Sequence, residues 1–155
     1  MNLKNKKRVF NLILVVTWMI FIFYMSSRDG NQSTQQSNFV MNILNILGIN
    51  LSNRFGEFAS VIIRKGAHVT EYAILCILLF NVLKDNIENK NKAILFSILG
   101  VFLYACTDEF HQTFVPGRSG QFTDVLVDTS GAVITSLLIK IRYYFKYRNV
   151  KGAVS

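Results

Sequence analysis

Hydrophobic residues in this chain come in long runs rather than in alternation. Val9 to Met25 is uncharged and, as a helix, long enough to cross roughly 25 Å of bilayer. A second run, from about Phe58 to Leu83, is apolar except in its first half, where Arg64, Lys65, His68 and Glu71 fall. The third, Ala93 to about His111, is apolar until Asp108. The fourth, Gln121 to about Ile141, begins polar with Asp124 and Asp128 and then turns apolar. The pattern predicts an all-α membrane protein: a four-transmembrane-helix bundle with spans near 9–25, 58–83, 93–111 and 121–141, in a single domain over 1–155.

The segments between the runs read differently. Ser26 to Asn38 is rich in Ser, Gln and Asn and predicts an exposed loop. Phe39 to Leu51 places Phe39, Val40, Ile43, Leu44, Ile46 and Leu47 at roughly helical spacing, which predicts a short amphipathic interfacial helix between the first two spans. From Asn53 to Ile63 the chain is expected to continue into span two. Lys84 to Lys92 is a short charged loop, and Pro116-Gly117 signals a tight turn before span four.

Composition adds two restrictions. The chain is 51% hydrophobic with a formal net charge of +8, and the basic excess sits at its two ends. That is the placement of membrane flanks, so nucleic acid is not an expected partner and the lipid bilayer is. Val9 to Met25 lacks a small-residue cleavage site after it, only Ser26, Ser27 and Arg28, and is expected to stay as an uncleaved span. Cys76 and Cys106 lie inside apolar runs and read as reduced packing residues.

Charge sets the expected topology. Lys4, Lys6, Lys7 and Arg8 precede span one; Lys84, Lys90 and Lys92 follow span two; Lys140, Arg142, Lys146, Arg148 and Lys151 close the chain. In the first intervening loop Arg28 and Arg54 are matched by Asp29 and Glu57. The positive-inside rule then puts both termini in the cytoplasm and the stretch from Tyr104 to Asp128 on the outside. With that topology three polar segments reach one depth. His68 and Glu71 lie in the outer half of span two, Asp108 and Glu109 at the outer end of span three, and Asp124 and Asp128 in the first two turns of span four.

Ionisable groups in a span are costly and usually face the bundle interior at a functional site. Here five carboxylates (Glu71, Asp108, Glu109, Asp124, Asp128) meet three cations (Arg64, Lys65, Arg118), leaving two negative charges. Protonated carboxyls, charged histidines or a bound divalent cation would neutralise them. A cation held by carboxylates and a histidine would suit a phosphate-bearing substrate, with Arg118 as a bidentate clamp. Without metal, His68 or His111 beside a carboxylate could act as general base. Structural readings stand beside these. Arg64 and Lys65 could snorkel, Asp124 and Arg118 could fix the loop as an ion pair, and Gly131 and Ala132 could serve close helix packing.

Two blocks, RKGAHVTEY (64–72) and TDEFHQTFVPGRSGQFTDVLVDTSG (107–131), resemble the VanZ-like family of bacterial membrane proteins; Ser26-Ser27 match more weakly. The resemblance implies a four-span protein of the bacterial inner membrane. The family's namesake is associated with low-level resistance to the glycopeptide teicoplanin. Motif positions map onto Lys65, His68, Glu71, Tyr72, Asp108, Glu109, His111, Gln112, Pro116, Gly117, Arg118, Asp124, Asp128 and Gly131. From residues and resemblance together, His68, Glu71, Asp108, His111 and Asp124 are the catalytic candidates. Lys65, Tyr72, Glu109, Gln112, Arg118 and Asp128 are the substrate-binding candidates. The expected role is in the cell envelope, on a phospholipid headgroup or a lipid-linked envelope precursor. The alternative is a non-catalytic membrane module that binds a lipid or partner protein, its polar network being structural.

Overall fold

A computed structural model describes residues 3–56 and 58–152. Glu57, one of the charges in the topology argument, and residues 1–2 and 153–155 of the single expected domain lie outside the described residues. The described chain is helical throughout: α1 Leu3–Ser26, α2 Gly30–Ile46, α3 Leu51–Phe55, α4 Phe58–Leu83, α5 Lys90–Gln112 and α6 Phe122–Gly152. Four of these, α1, α4, α5 and the Phe122–Lys146 part of α6, are long and apolar enough to cross a membrane. They are the four runs read from the sequence, and α4 has the expected limits.

The segment between the first two spans departs from expectation. Ser26 to Asn38 is not a loop: α2 starts at Gly30, because the Asp29 carboxylate caps it by accepting from the Gln32 N–H at 2.8 Å. Its Ser and Gln residues are helical without apolar periodicity, and Ser33 and Ser37 are buried. The amphipathic stretch is the second half of this helix. Nor does the chain run smoothly into span two: after the one-turn α3, Gly56 at φ 54° breaks the helix.

α6 packs along both α4 and α5, while α1 and α2 lie chiefly against α4. The main core takes Tyr72, Leu75 and Cys76 from α4, Val101 and Ala105 from α5, Val125 and Ala132 from α6, and Val15 and Ile22 from α1. Small residues permit the closest approach. A Cβ on Gly131 would lie 2.2 Å from the Val69 carbonyl oxygen, so α6 can touch the α4 backbone only with glycine there. A second, wholly apolar cluster of Phe80, Ala93 and Ile94 closes the opposite end, with Tyr143 edge-on to Phe80. Leucines, isoleucines and phenylalanines on the outer faces are exposed, as expected of surfaces that lipid solvates.

Candidate functional site

Helical spacing aims the polar side chains. On α4, Lys65, His68 and Tyr72 follow at steps of three and four, and so share a face. On α5, Asp108 and Gln112 are one turn apart; on α6, Asp124 and Asp128 are too. The C-terminal ends of α1 and α5 meet the N-terminal ends of α4 and α6, so these faces converge at one end of the bundle. Between α5 and α6 the 113–121 loop folds over them. Gly117, at φ 72°, makes its turn, and the Gly30 N–H on α2 donates to the Pro116 carbonyl at 3.2 Å.

The result is a cavity of about 260 Å³. Arg64, Lys65 and His68 line it from α4, Glu109 and Gln112 from α5, Asp124 and Asp128 from α6, and Arg118 from the loop. A smaller cavity of about 130 Å³ lies on the α2 side, walled by Ser33, Ser37 and Glu71, and shares Arg64, His68 and Arg118 with the first.

A hydrogen-bonded chain ties the walls together. Ser26 Oγ on α1 donates to Asp108 Oδ2 at 2.7 Å. Gln112 Nε2 reaches Ser26 Oγ at 2.7 Å, Glu109 Oε1 at 3.1 Å and Asp108 Oδ2 at 3.2 Å. Arg118 Nη1 donates to Gln112 Oε1 at 3.1 Å, and the Gln121 backbone N–H donates to Glu109 Oε2 at 3.0 Å, which pins the loop to α5. Burial, and then the neighbouring Arg64, push the Arg118 guanidinium below its ordinary pKa, while Asp108, Glu109 and Glu71 oppose the shift. Its buried Nε has no hydrogen-bond partner. Lys65 Nζ pairs with Asp124 Oδ1 at 2.6 Å. The ion pair at Asp124 is therefore with Lys65 on the next helix, not with Arg118.

Deeper in, His68 Nδ1 faces Asp128 Oδ1 at 3.4 Å, too poorly aligned for a hydrogen bond. Donor atoms of His68, Asp108 and Asp128 lie within 4.8 Å of one another and could together hold a metal ion. Tyr72 lies behind His68 with the two rings nearly parallel, centroids 6.5 Å apart, and its hydroxyl lies against Asp108.

Not every sequence candidate reaches the cavity. His111 turns away: its ring packs against Phe23 of α1 with centroids 4.3 Å apart. It is one residue short of Gln112, and that rotation carries it off the Asp108–Gln112 face. Glu71 borders only the smaller cavity, and its backbone carbonyl accepts the Trp18 indole N–H at 2.9 Å. Sequence reasoning missed Ser26 as a site residue. Its sequence signal was the weak Ser26-Ser27 match to the family; the structure adds that Val15, Ile22 and Ser26, at steps of seven and four, are the buried positions of α1, which puts Ser26 on the helix face that meets the bundle. Arg64, counted among the site's cations with snorkelling as the structural alternative, lines both cavities.

Comparison with known proteins gives one finding. The family model described as VanZ/LLP1 matches residues 10–143. No curated protein and no solved structure matches.

Proposed function

The chain belongs to the VanZ/LLP1 family, and from that premise we propose that its cavity receives the phosphate-bearing headgroup of a cell-envelope lipid or lipid-linked precursor. Its four long apolar helices make it a multi-pass membrane protein. The basic residues at both chain ends and in the loop after α4 favour cytoplasmic termini, which turns the cavity outward, toward the outer leaflet of the bacterial cell membrane.

The observation that carries this reading is the distribution of charge around the cavity. Arg64 and Arg118 offer cationic groups to an anion, Lys65 being paired with Asp124, and Arg118 keeps an unpartnered buried Nε beside the nitrogen given to Gln112. His68, backed by Asp128, is the group placed to take a proton from water or a headgroup hydroxyl during hydrolysis or transfer. Altered headgroups at the cell surface would be one route to low-level glycopeptide resistance. Binding of a short-chain phospholipid to the purified protein tests the reading. We expect inorganic phosphate to compete and Arg118→Ala to weaken binding at least tenfold; equal affinity of the two proteins sinks it. Lipid extracts from cells carrying His68→Gln should then show an accumulated headgroup species if the bound lipid is also a substrate.

A second reading is favoured by the Asp108–Ser26–Gln112–Arg118 chain, which joins α1, α5 and the loop without needing chemistry. A purely structural network predicts that Arg118→Ala lowers thermal stability and leaves lipid composition and headgroup binding unchanged.

A further inference from the structure

We propose that His68, Asp108 and Asp128 bind one divalent transition-metal cation, of the Mn²⁺ or Zn²⁺ type, in the bundle beneath the cavity. The site shares His68 and Asp128 with the headgroup cavity but does not require that reading; with an ion bound, His68 acts as a ligand and water on the ion takes over its role as proton acceptor.

The three donors come from α4, α5 and α6, and their atoms lie within 4.8 Å of one another. Metal bonds of about 2.0–2.2 Å set ligand atoms roughly 3–4 Å apart, so side-chain rotations of about an ångström close the site. Asp108 and Asp128 are 2% and 1% exposed, yet each has one oxygen, Asp108 Oδ1 and Asp128 Oδ2, with no hydrogen-bond partner. His68 Nδ1 is likewise unpartnered. A fourth group meets the cluster: Tyr72 is fully buried, its hydroxyl lies beside Asp108, and no hydrogen bond of good geometry satisfies it. Buried oxygens of Asp108, Asp128 and Tyr72, with the buried Nδ1 of the half-buried His68, lack well-formed hydrogen bonds around one point, which indicates a shared ligand.

Charge points the same way. Among the described residues the nearby lysine is engaged by Asp124 and Arg118 reaches Gln112, so neither forms an ion pair with Asp108 or Asp128. Among the described residues only His68, beside Asp128, could compensate either carboxylate, and a dication supplies two charges at once. The ligand set selects the ion. One imidazole with two carboxylates suits borderline first-row metals, whereas Ca²⁺ takes six to eight oxygens. His68 and Asp128 also line the cavity, which leaves a coordination position open toward it for water or an anionic oxygen.

The test is Mn²⁺ binding to the purified full chain in detergent after chelation, followed by electron paramagnetic resonance and by isothermal titration, with Zn²⁺ as competitor. We expect one ion per chain and a rise in Tm on loading. Asp108→Asn, Asp128→Asn and His68→Gln should each weaken binding at least tenfold, while Thr70→Ala, on an exposed position of α4, should not. Should the variants fold poorly, the wild-type stoichiometry and the competition by Zn²⁺ still decide. No stoichiometric Mn²⁺ or Zn²⁺ in the wild type overturns the proposal, in favour of a proton shared between the aspartates. An ion retained at full affinity in the three variants overturns it as well. Phospholipid binding is measured without metal, so failure of either proposal is visible apart from the other.

Discussion

The two ends of the helical bundle are built from the same helices and solve burial in opposite ways. At one end Phe80, Ala93 and Ile94 meet as shapes, with Tyr143 closing against Phe80. At the other, Ser26, His68, Asp108, Gln112 and Asp128 meet as charges and hydrogen-bonding groups. In a bilayer the apolar end gains little from burial, since lipid tails solvate Phe and Ile as well as protein does; it is held by packing contacts. The polar groups have no such alternative, because lipid cannot satisfy them. Position in a membrane bundle is therefore encoded chiefly by its polar residues.

Three substitutions bear on that contrast. The largest effect is expected for Gly131→Val. Its Cβ would meet the Val69 carbonyl oxygen at 2.2 Å and push α6 off α4, separating Asp128 from His68. A loss of about 3 kcal/mol, near the top of the range for overpacking, should appear in detergent unfolding, together with loss of any activity that needs both residues. Phe80→Ala should cost about 2 kcal/mol. The cost stays below that of the same change in a water-soluble core because the transfer part of the penalty is missing, and headgroup binding should be unchanged. Ser26→Ala removes one partner each from Asp108 Oδ2 and Gln112 Nε2 and should cost about 1 kcal/mol. If Ser26→Ala proves more destabilising than Phe80→Ala, the polar end is the stabilising one and the contrast is reversed.

The four spans were legible because an unbroken apolar helix of about twenty residues matches the thickness of a bilayer and exceeds what most buried core helices need. The limits of α4 followed from that alone. The second half of α2 was legible from its apolar spacing, but the first half was not, because it rests on the Asp29 cap and on the buried Ser33 and Ser37, with no apolar stripe to announce it. α6 runs on past Ile141 to Gly152, since Lys140, Arg142 and Lys146 favour helix as much as they favour water. In the site, the depth of each polar segment put His68, Asp108, Asp124 and Asp128 together, the family resemblance added Lys65 and Gln112, and helical spacing was the remaining guide. It could not separate His111 from Gln112, because both are within reach of Asp108 along the helix. The choice is made by α1, whose Phe23 takes the His111 ring. The Lys65–Asp124 pair joins residues 59 positions apart and has no local signal.

The order in which the helices follow one another has a consequence for how the protein is made. His68 and Asp108 are synthesised before Asp128, and the Gly131 contact that draws α6 onto α4 comes later still. During insertion Asp108 must therefore rest on Ser26 and Gln112 alone, without the cover of α6, until the last span docks. Stalling synthesis just before α6 should yield a short-lived product, whereas the completed chain closes its own liability with its final span.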